Sequence, residues 1–301
     1  MSGRADSFAP IFEAIRSGDL PPRIGYLRLA MAAETPEELA MLLSTADSPE
    51  LEGVAARHPD GWQMVKKMLS AVSHDPIAGG ETDRVNAIAA MFDRAARLSP
   101  EASVALYSLG DPEALAAATE EIVAWLRLQD LLGSHVRLLD FGCGIGRLAM
   151  ALAPEVGSAT GIDVSSEMIA EARRRGLGFT NLRFEQSSGR DLACYPDAGF
   201  DLAIALDSFP YVVAAGDAMA LRLLGELARV LAPSGHLMIL NYSYRGNPAH
   251  DREELSQHAA ITGLALRSKG ERPFALWDGL AFHLTKPSET SREQPRQLPT
   301  I

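Results

Sequence analysis

The sequence predicts an α/β fold in which a doubly wound, largely parallel sheet follows an all-helical N-terminal region. Three observations lead to this prediction. The first 133 residues show repeated helix starts and no strand-like alternation. From Val136 onward, short apolar runs alternate with helical stretches, and runs such as LAIAL are apolar throughout. Strands of that kind suit a parallel sheet whose crossover helices bury both of its faces.

The helical region uses one device at its helix starts, namely a capping residue followed by proline and an acid. In TPEE (35–38), Thr35 is placed to cap a helix and Glu38 stands where a capping box needs it. The same cap and proline recur in SPE at 48, SPE at 99 and DPE at 111. The last of these opens a helix predicted over 112–132, with one apolar stripe and Gly133 to end it.

The second part of the chain alternates strands with helices, as a parallel sheet with right-handed crossovers requires. The predicted strands are 136–141, 159–163, 181–185, 200–206 and 235–242, with a final pair at 264–268 and 280–286. The predicted helices between them are 146–154, 165–175 and 216–232. The polar, proline-containing segment 287–301 is predicted to be disordered.

Composition limits the class of protein. The chain has 301 residues, 47% of them hydrophobic, which is typical of a globular protein. The formal net charge of −11 disfavours long-range attraction to nucleic acid or to anionic lipid, so we expect neither partner. The two cysteines, Cys143 and Cys194, form no zinc or disulfide pattern, so we expect no metal. With no apolar signal core and no 18-residue apolar run, we expect a cytoplasmic protein, and the composition suggests a bacterial source.

Three glycines follow the first predicted strand in LLDFGCGIGRLAM (138–150): Gly142, Gly144 and Gly146. Ligands of doubly wound sheets bind beyond the carboxyl ends of the strands. Glycines there allow a tight turn and a close approach of a ligand to the backbone, and the next helix presents free N–H groups. The dinucleotide fingerprint G-x-G-x-x-G is not met, because Arg147 stands at its third glycine. The segment therefore predicts a nucleotide-type cofactor that is not a dinucleotide.

The stretch LLDFGCGIG resembles motif I of the class I S-adenosylmethionine-dependent methyltransferases. Two further segments agree with that family in register: GIDVSSEMIAEAR (161–173) resembles its second strand and following helix, and LARVLAPSGHLMILNY (227–242) its Pro-x-Gly turn and fifth strand. The resemblance covers 112–286 and leaves 1–111 as a separate helical region. It implies a Rossmann-like sheet of seven strands with an antiparallel last strand, S-adenosylmethionine as cofactor and S-adenosylhomocysteine as product.

The resemblance also implies the cofactor-binding residues. In this family the glycine loop wraps the methionine part of the cofactor, and an acid ending the second strand holds both ribose hydroxyls, a role that falls to Asp163 because a carboxylate can accept from two donors. The usual adenine-side acid is replaced by Ser188, unless Asp191 or Glu185 serves, and Gly189 or Arg190 offers a backbone N–H. The implied set is Tyr107, Asp140, Gly142, Cys143, Gly144, Gly146, Asp163, Val164, Met168, Ser188, Gly189, Arg190, Leu206 and Asp207.

Several of these residues have a stated role or alternative. Asp140 supports the loop or the amino group of the cofactor, and Met168 covers the adenine. Tyr107 either reaches over the cofactor or packs against the core. We expect Gly142 and Gly144 to leave room for the cofactor and Gly146 to let the helix pack close to the sheet.

The family's reaction is an in-line attack by an acceptor atom on the sulfonium methyl, so acceptor-binding residues should follow strands four to six. The candidates for acceptor binding are Phe209, Tyr211, Tyr242, Tyr244, Arg245 and Trp277, and the candidate catalytic residues are His250 and Tyr211. Each has a structural alternative: Phe209 and Trp277 as core or loop anchors, and His250 as a surface side chain near a helix start.

The nature of the acceptor is only partly constrained. DSFPY (207–211) stands where a D/N-P-P-Y/F motif would suggest base or amide methylation. Together with the acidic charge, this favours a small-molecule acceptor over nucleic acid. A protein methyltransferase and a non-catalytic S-adenosylmethionine-binding protein are the alternatives. The helical region is either a lid that selects the acceptor or a dimerisation module, so a homodimer stays open.

Overall fold

A computed structural model of the chain describes residues 8–72 and 79–288. The chain forms two compact units, neither of them a continuous stretch. Among the described residues, the first comprises 8–72, 90–125 and 273–279, and the second comprises 79–89, 126–272 and 280–288. The helix that begins at Pro112 contributes residues to both units, and the boundary between 111 and 112 remains a prediction. Residues 289–301 of the segment predicted to be disordered lie outside the described residues.

The N-terminal region is helical. Its helices are α1 (Ala9–Ser17), α2 (Pro22–Ala32), α3 (Pro36–Ala46), α4 (Pro49–Arg57), α5 (Gly61–Ala71), α6 (Glu81–Leu98), α7 (Pro100–Val104) and α8 (Pro112–Leu128). The predicted caps are formed: the side chains of Thr35, Ser48 and Ser99 each accept the N–H three residues further on. Asp111 likewise accepts from the N–H groups of the first turn of α8. These bonds satisfy N–H groups that have no partner within the helix.

The second unit contains a seven-stranded sheet, which confirms the predicted fold class. Its strands are β1 (Gly133–Phe141), β2 (Val156–Asp163), β3 (Leu182–Gln186), β4 (Phe200–Leu206), β5 (Leu231–Leu240), β6 (Ala265–Glu271) and β7 (Ala281–Thr285). They are ordered β3-β2-β1-β4-β5-β7-β6. Strands β1 to β5 pair in parallel, and β7 is antiparallel to both β5 and β6.

Helices connect the strands of this sheet: α9 (Arg147–Leu152), α10 (Ser166–Arg175), α11 (Phe209–Ala215), α12 (Asp217–Val230) and α13 (Pro248–Thr262). Three of them correspond to predicted helices, whereas α11 and α13 were not predicted. Helix α13 packs against α12 and β6, yet its buried side chains include Asp251 and His258 beside Leu255 and Ala259. A buried face of mixed polarity gives no apolar stripe, so only the helix start at Asn247 and Pro248 left a signal in the sequence.

The central strands form the core of this unit, and Leu139, Ile204 and Leu237 of β1, β4 and β5 are fully buried. Because these strands are parallel, their carboxyl ends meet at one edge of the sheet, where Gly142, Asp163, Asp207 and Asn241 follow or end four of them. Among residues 8–72 and 79–288, no helix is long and apolar enough to cross a membrane.

Candidate cofactor and acceptor site

The glycine loop joins β1 to α9. Gly142, Gly144 and Gly146 have φ angles of +71°, +53° and +79°, a region that residues with a β-carbon rarely adopt. The N–H groups of Gly142 and Cys143 both donate to the carbonyl of Ile162 near the end of β2. The loop thus folds back across the edge of the sheet, and all three glycines are needed for its backbone conformation.

The surroundings of Gly142 revise the expected reason for its presence, whereas those of Gly146 agree with the expected one. A β-carbon at Gly142 would lie 2.2 Å from Cβ of Ser208, whose hydroxyl donates to the carbonyl of Phe141 over 2.6 Å. The protein itself therefore fills the space that we expected Gly142 to leave for a cofactor. A β-carbon at Gly146 would lie 2.4 Å from the Phe184 ring of β3, which agrees with the expected role of Gly146 in close packing of helix and sheet.

Asp163 ends β2 and ties that strand to the glycine loop. Its Oδ1 accepts the N–H of Ser165 and its Oδ2 accepts the N–H of Gly144, both over 2.9 Å. A carboxylate oxygen has two lone pairs, so these bonds are compatible with further donors such as hydroxyls. The same acid is thus placed to orient the loop and to receive a ligand at the edge of the sheet.

Asp140 is only 2% exposed and accepts the N–H of Ala149 in α9 over 3.1 Å. Burial raises the pKa of this carboxyl to about 7, against the opposing effects of the Ala149 N–H and of Arg147. A buried carboxyl of this kind is poised to ionise when a cationic group approaches, because the cation stabilises its charged form.

We expect the Asp140→Asn variant to be more stable than the wild type at high pH. The folded-state pKa lies above the ordinary value of 3.8, so the ionised form is disfavoured in the native state and stability falls as pH rises from about 4 through 7. Asparagine keeps the shape and can still accept from Ala149. Urea unfolding should show a gain on the order of 2–4 kcal/mol at pH 8 and little gain at pH 4. An equal change at both pH values would contradict the burial effect.

A cavity of about 230 Å³ lies between α6 and the ends of β2 and β3. It is lined by Thr82, Val85, Asn86, Ala89, Val164, Gln186, Ser187, Ser188 and Arg190. The side chains from α6 were not foreseen, because they come from the N-terminal region, where no motif distinguished them from an ordinary helix face. The cavity combines apolar walls with the amide of Asn86 and the hydroxyl of Ser188, which suits a flat, polar-edged group.

The predicted adenine-side residues are placed as follows. Ser188 and Arg190 line the cavity. The expected backbone donors are already used, since the N–H of Gly189 donates to Ser187 Oγ over 3.0 Å and that of Arg190 to Ser188 Oγ over 3.3 Å. Each of these N–H groups thus bonds within its own turn, and its role toward an adenine stays a prediction.

The two acids considered as substitutes at this position have other roles. Glu185 accepts from the hydroxyl of Tyr195 over 2.6 Å, and Asp191 accepts the N–H of Ala193. Neither acid is among the residues that line the cavity. Side-chain hydrogen bonds to a ligand in this cavity would therefore come from Ser188 and Asn86.

Among the other predicted cofactor residues, Cys143, Met168 and Tyr107 are buried and Leu206 is half-buried. Cys143 packs with Ala149, Ile169 and Phe184, and burial raises the pKa of its thiol well above the usual value. Met168 is almost fully buried in α10, so Val164 supplies the apolar lining of the cavity from this part of the chain. Leu206 ends β4 opposite Leu240. Tyr107 is buried in a short 3₁₀ helix (Leu106–Ser108) of the first unit.

A carboxylate and two tyrosines meet at the ends of β4 and β5. Asp207 Oδ1 accepts from Asn241 Nδ2 over 2.6 Å and from the hydroxyl of Tyr244 over 3.0 Å. The rings of Tyr211 and Tyr244 pack edge to face at 5.8 Å. Asp207 and Asn241 both have positive φ angles, +52° and +68°. Asn241 was not predicted, although asparagine is among the few residues that tolerate this conformation.

The ionisation of Tyr211 limits what this cluster can do. Burial first, and the charge of Asp207 second, raise the pKa of Tyr211 above its usual value. The hydroxyl therefore stays protonated, and it can orient an acceptor but does not serve as a base at neutral pH. In this cluster, the carboxylate of Asp207 is the group suited to take a proton.

The remaining predicted acceptor residues are engaged elsewhere. Phe209 and Tyr242 are fully buried and stack on each other at 5.4 Å. Trp277 packs on Phe274 in the first unit. Arg245 donates to carboxylates of α13, and His250 is 52% exposed and pairs with Glu254 of the same helix over 3.2 Å. Phe209, Trp277 and His250 match the structural alternatives stated for them, and the cluster around Asp207 stays the candidate acceptor site.

Comparison with known proteins gives a family match over the sheet region. Residues 132–279 match a family described as "Methyltransferase domain". The S-adenosyl-L-methionine-dependent Diels-Alderase iccD of Talaromyces variabilis is 28% identical over 165 residues, 52% of this chain and 53% of that protein. The O-methyltransferase resE of Aspergillus sclerotiorum is 30% identical over 164 residues, 50% of this chain and 59% of that protein. The chain thus spans about half the length of the curated relatives it matches.

A solved structure agrees at the level of the fold. Phosphoethanolamine N-methyltransferase 1 of Haemonchus contortus, in complex with phosphoethanolamine and S-adenosylhomocysteine, aligns with a TM-score of 0.57 at 13% identity, over 72% of this chain and 52% of that one. At such low identity the likeness bears on the fold alone.

The cofactor of this family is S-adenosylmethionine, and the residues present fit it: a glycine loop that folds back over the sheet edge, an acid that ends β2 and a cavity beyond β3. Because the strand order, the loop and the family match fall on the same part of the sequence, residues 132–279 of this chain form a methyltransferase domain of the S-adenosylmethionine-dependent family.

Proposed function

We propose that this protein transfers the methyl group of S-adenosylmethionine to a small-molecule acceptor held beyond β4 and β5. One observation carries the proposal. Ser208 fills the space beside Gly142 in the glycine loop, and its neighbour Asp207 is the centre of the carboxylate–tyrosine cluster. An acceptor held by that cluster would therefore lie next to the loop that binds the methionine part of the cofactor.

The cavity beyond β3 supports the proposed orientation of the cofactor. Its walls include Val85 and Val164, which can cover the faces of an adenine ring, while Asn86 and Ser188 can bond to its polar edge. Asp163 lies between this cavity and the glycine loop along the sheet edge, where it would accept from the ribose hydroxyls.

The reaction requires few chemical steps from the protein itself. When bound, the cofactor supplies a methyl group already activated by its sulfonium charge, so the chain mainly aligns the acceptor and excludes water. Asn241 and Tyr244 hold the carboxylate of Asp207 in position. That carboxylate would accept the proton of an acceptor hydroxyl or amine, and the protonated hydroxyl of Tyr211 would orient it.

Asp207→Asn should separate acceptor chemistry from cofactor binding. Asparagine can keep the bonds from Asn241 and Tyr244 but has no charge, so we expect methyl transfer to fall by about 100-fold or more, the usual size of a general-base effect. The affinity for S-adenosylhomocysteine should change by less than about threefold, since the charge of Asp207 serves the acceptor in this proposal. A rate equal to the wild type would contradict the base role.

Asp201→Asn is the matched control, because it neutralises an aspartate near the opposite end of the same strand, where Asp201 forms an exposed ion pair with Arg137. That change should leave the rate of methyl transfer intact. Steady-state formation of S-adenosylhomocysteine and calorimetry measure the two quantities in both variants.

The function itself is tested by binding and by product formation. Titration calorimetry should detect S-adenosylmethionine and S-adenosylhomocysteine but not NAD, and S-adenosylhomocysteine should raise the melting temperature because it binds the native state. The protein is then incubated with S-adenosylmethionine and either a low-molecular-weight metabolite fraction or a protein fraction. Methyl release with the metabolite fraction supports the proposal, and binding of NAD in place of S-adenosylhomocysteine contradicts it.

The two alternatives give different outcomes in the same assay. Methyl transfer only to the protein fraction would indicate a protein methyltransferase. Binding without any methyl release would indicate a protein that uses the cofactor without consuming it; the name of the relative iccD, an S-adenosyl-L-methionine-dependent Diels-Alderase, makes this the second candidate.

The helical unit is proposed to act as an acceptor-selecting lid or as a dimerisation module. Light scattering over a range of protein concentrations distinguishes these roles, since only the second requires a dimer. Cytoplasmic location and a bacterial source remain predictions from the sequence.

A further inference from the structure

Helices α12 and α13 bring together three side chains that the proposed function does not use: Asp217, Glu254 and His258. One potential ligand atom from each lies within 4.8 Å of the others. Asp217 is the first residue of α12, while Glu254 and His258 are one turn apart on the same face of α13. The side chain of Asp217 is 76% exposed and that of His258 only 7%, so the cluster is open to solvent on the Asp217 side.

The hydrogen bonds of Tyr242 define the proton position on the His258 ring. The Tyr242 hydroxyl is 2.9 Å from Glu254 Oε1 and 3.1 Å from His258 Nδ1. Glu254 also accepts from Arg245 Nη1 over 2.7 Å through its other oxygen, so both of its carboxylate oxygens act as acceptors. The single hydroxyl proton of Tyr242 therefore goes to Glu254, and His258 Nδ1 donates its own proton to the Tyr242 oxygen.

That arrangement leaves His258 Nε2 facing a carboxylate. Nε2 lies 3.1 Å from Asp217 Oδ1. In a neutral ring protonated on Nδ1, Nε2 carries a lone pair, and a lone pair beside a carboxylate oxygen needs a positive charge between them. Two ligands bound to one metal ion at about 2.0–2.1 Å are themselves about 2.9–3.4 Å apart at octahedral or tetrahedral angles, so the observed separation suits two ligands of one ion.

The charges around the cluster favour a divalent cation over a single proton. Arg245 bonds to both Glu254 and Asp251, and Asp217 adds a third carboxylate. Arg245 and these three carboxylates together carry two negative charges in excess. A doubly charged ion would offset that excess, and Glu254, with a carboxylate oxygen within 4.8 Å of the other two ligand atoms, provides a third ligand that a proton would not require.

We propose that Asp217, Glu254 and His258 form a binding site for a divalent transition-metal ion of the zinc type. One imidazole nitrogen and two carboxylates are a ligand set that zinc accepts, with water in the fourth position, whereas magnesium prefers oxygen ligands only. The ion would tie the start of α12 to α13. Glu254 also bonds to Tyr242 and Arg245. By holding Glu254, the ion would also stabilise the chain segment that carries Tyr244 to the acceptor site.

Zinc titration of the full chain tests the site without cofactor or acceptor. Chelator-treated protein is titrated with Zn²⁺ and, separately, with Mg²⁺ by calorimetry, and the metal content is measured after dialysis. We expect one equivalent of zinc, an increase in melting temperature with zinc, and no binding of magnesium at the same concentrations. Absence of zinc binding by the wild type would overturn the proposal. His258 Nε2 would then carry a proton in place of a metal ion.

Variants locate the bound ion. Asp217→Asn changes an exposed side chain, so the protein should fold, and its affinity for zinc should fall at least tenfold; His258→Gln should remove binding. His283→Gln is the control, because it removes a histidine outside the proposed site that could also hold a metal ion, in a pair whose ring nitrogens on His236 and His283 are 2.9 Å apart. Zinc binding that is unchanged in Asp217→Asn, or lost in His283→Gln, would place the ion elsewhere and overturn the assignment.

Discussion

Asp163→Ala should weaken the binding of S-adenosylhomocysteine by about 30- to 1,000-fold, or on the order of 2–4 kcal/mol, the size expected for two charge-assisted hydrogen bonds. In the proposed complex the variant loses the bonds to both ribose hydroxyls. It also loses the acceptor for the N–H groups of Gly144 and Ser165, which are 2.9 Å from the two carboxylate oxygens. The loss therefore includes the cost of a less ordered glycine loop.

The measurement is calorimetry after circular dichroism has shown that the variant is folded. Asp191→Ala is a suitable control, since Asp191 lies in the next loop along the sheet edge and accepts only a local N–H, that of Ala193, among the bonds described. Its affinity for S-adenosylhomocysteine should equal that of the wild type. Unchanged affinity in Asp163→Ala would show that this acid is not the ribose ligand.

The fold could be predicted where burial and local chain chemistry agree. The strands β1, β4 and β5 are apolar on both faces because the sheet buries both faces, so their sequences carry a clear signal. The helix starts carry their own caps, as at Thr35 and Ser99. Helix α13 escaped prediction because its buried face contains Asp251 and His258, whose polar groups are satisfied by partners distant in sequence or on other elements.

The site divides in the same way. Asp163 and the glycines could be predicted from sequence as candidate site residues, because an acid at a strand end and glycines at positive φ angles are recognisable within a short segment. Asn86 could not, because it enters the cavity from a helix about a hundred residues from the strands it faces. Tyr242 and Arg245 are suitable residue types at a suitable strand end. Tyr242 stacks on Phe209, however, and Arg245 forms ion pairs with α13, and these tertiary contacts cannot be read from sequence position.

Gly144→Val should abolish detectable binding of S-adenosylhomocysteine, a loss of at least about 100-fold, in a protein that still folds. Gly144 has a φ of +53° and donates its N–H to Asp163. A β-branched residue tolerates this conformation poorly, at a cost on the order of 1–3 kcal/mol. Its side chain would also occupy the space in which the loop is proposed to hold the methionine part of the cofactor.

Two further variants separate strain from exclusion of the cofactor. Gly18→Val imposes a similar strain, at φ +80° with nothing within 4 Å of the new β-carbon, but it lies in the first unit, so it should lower stability and leave the affinity unchanged. Gly146→Ala forces a β-carbon against the Phe184 ring, so it should cost stability more than binding. If Gly144→Val is folded and binds S-adenosylhomocysteine as tightly as Gly18→Val does, the loop does not hold this cofactor, and the proposed placement of the acceptor beside it loses its basis.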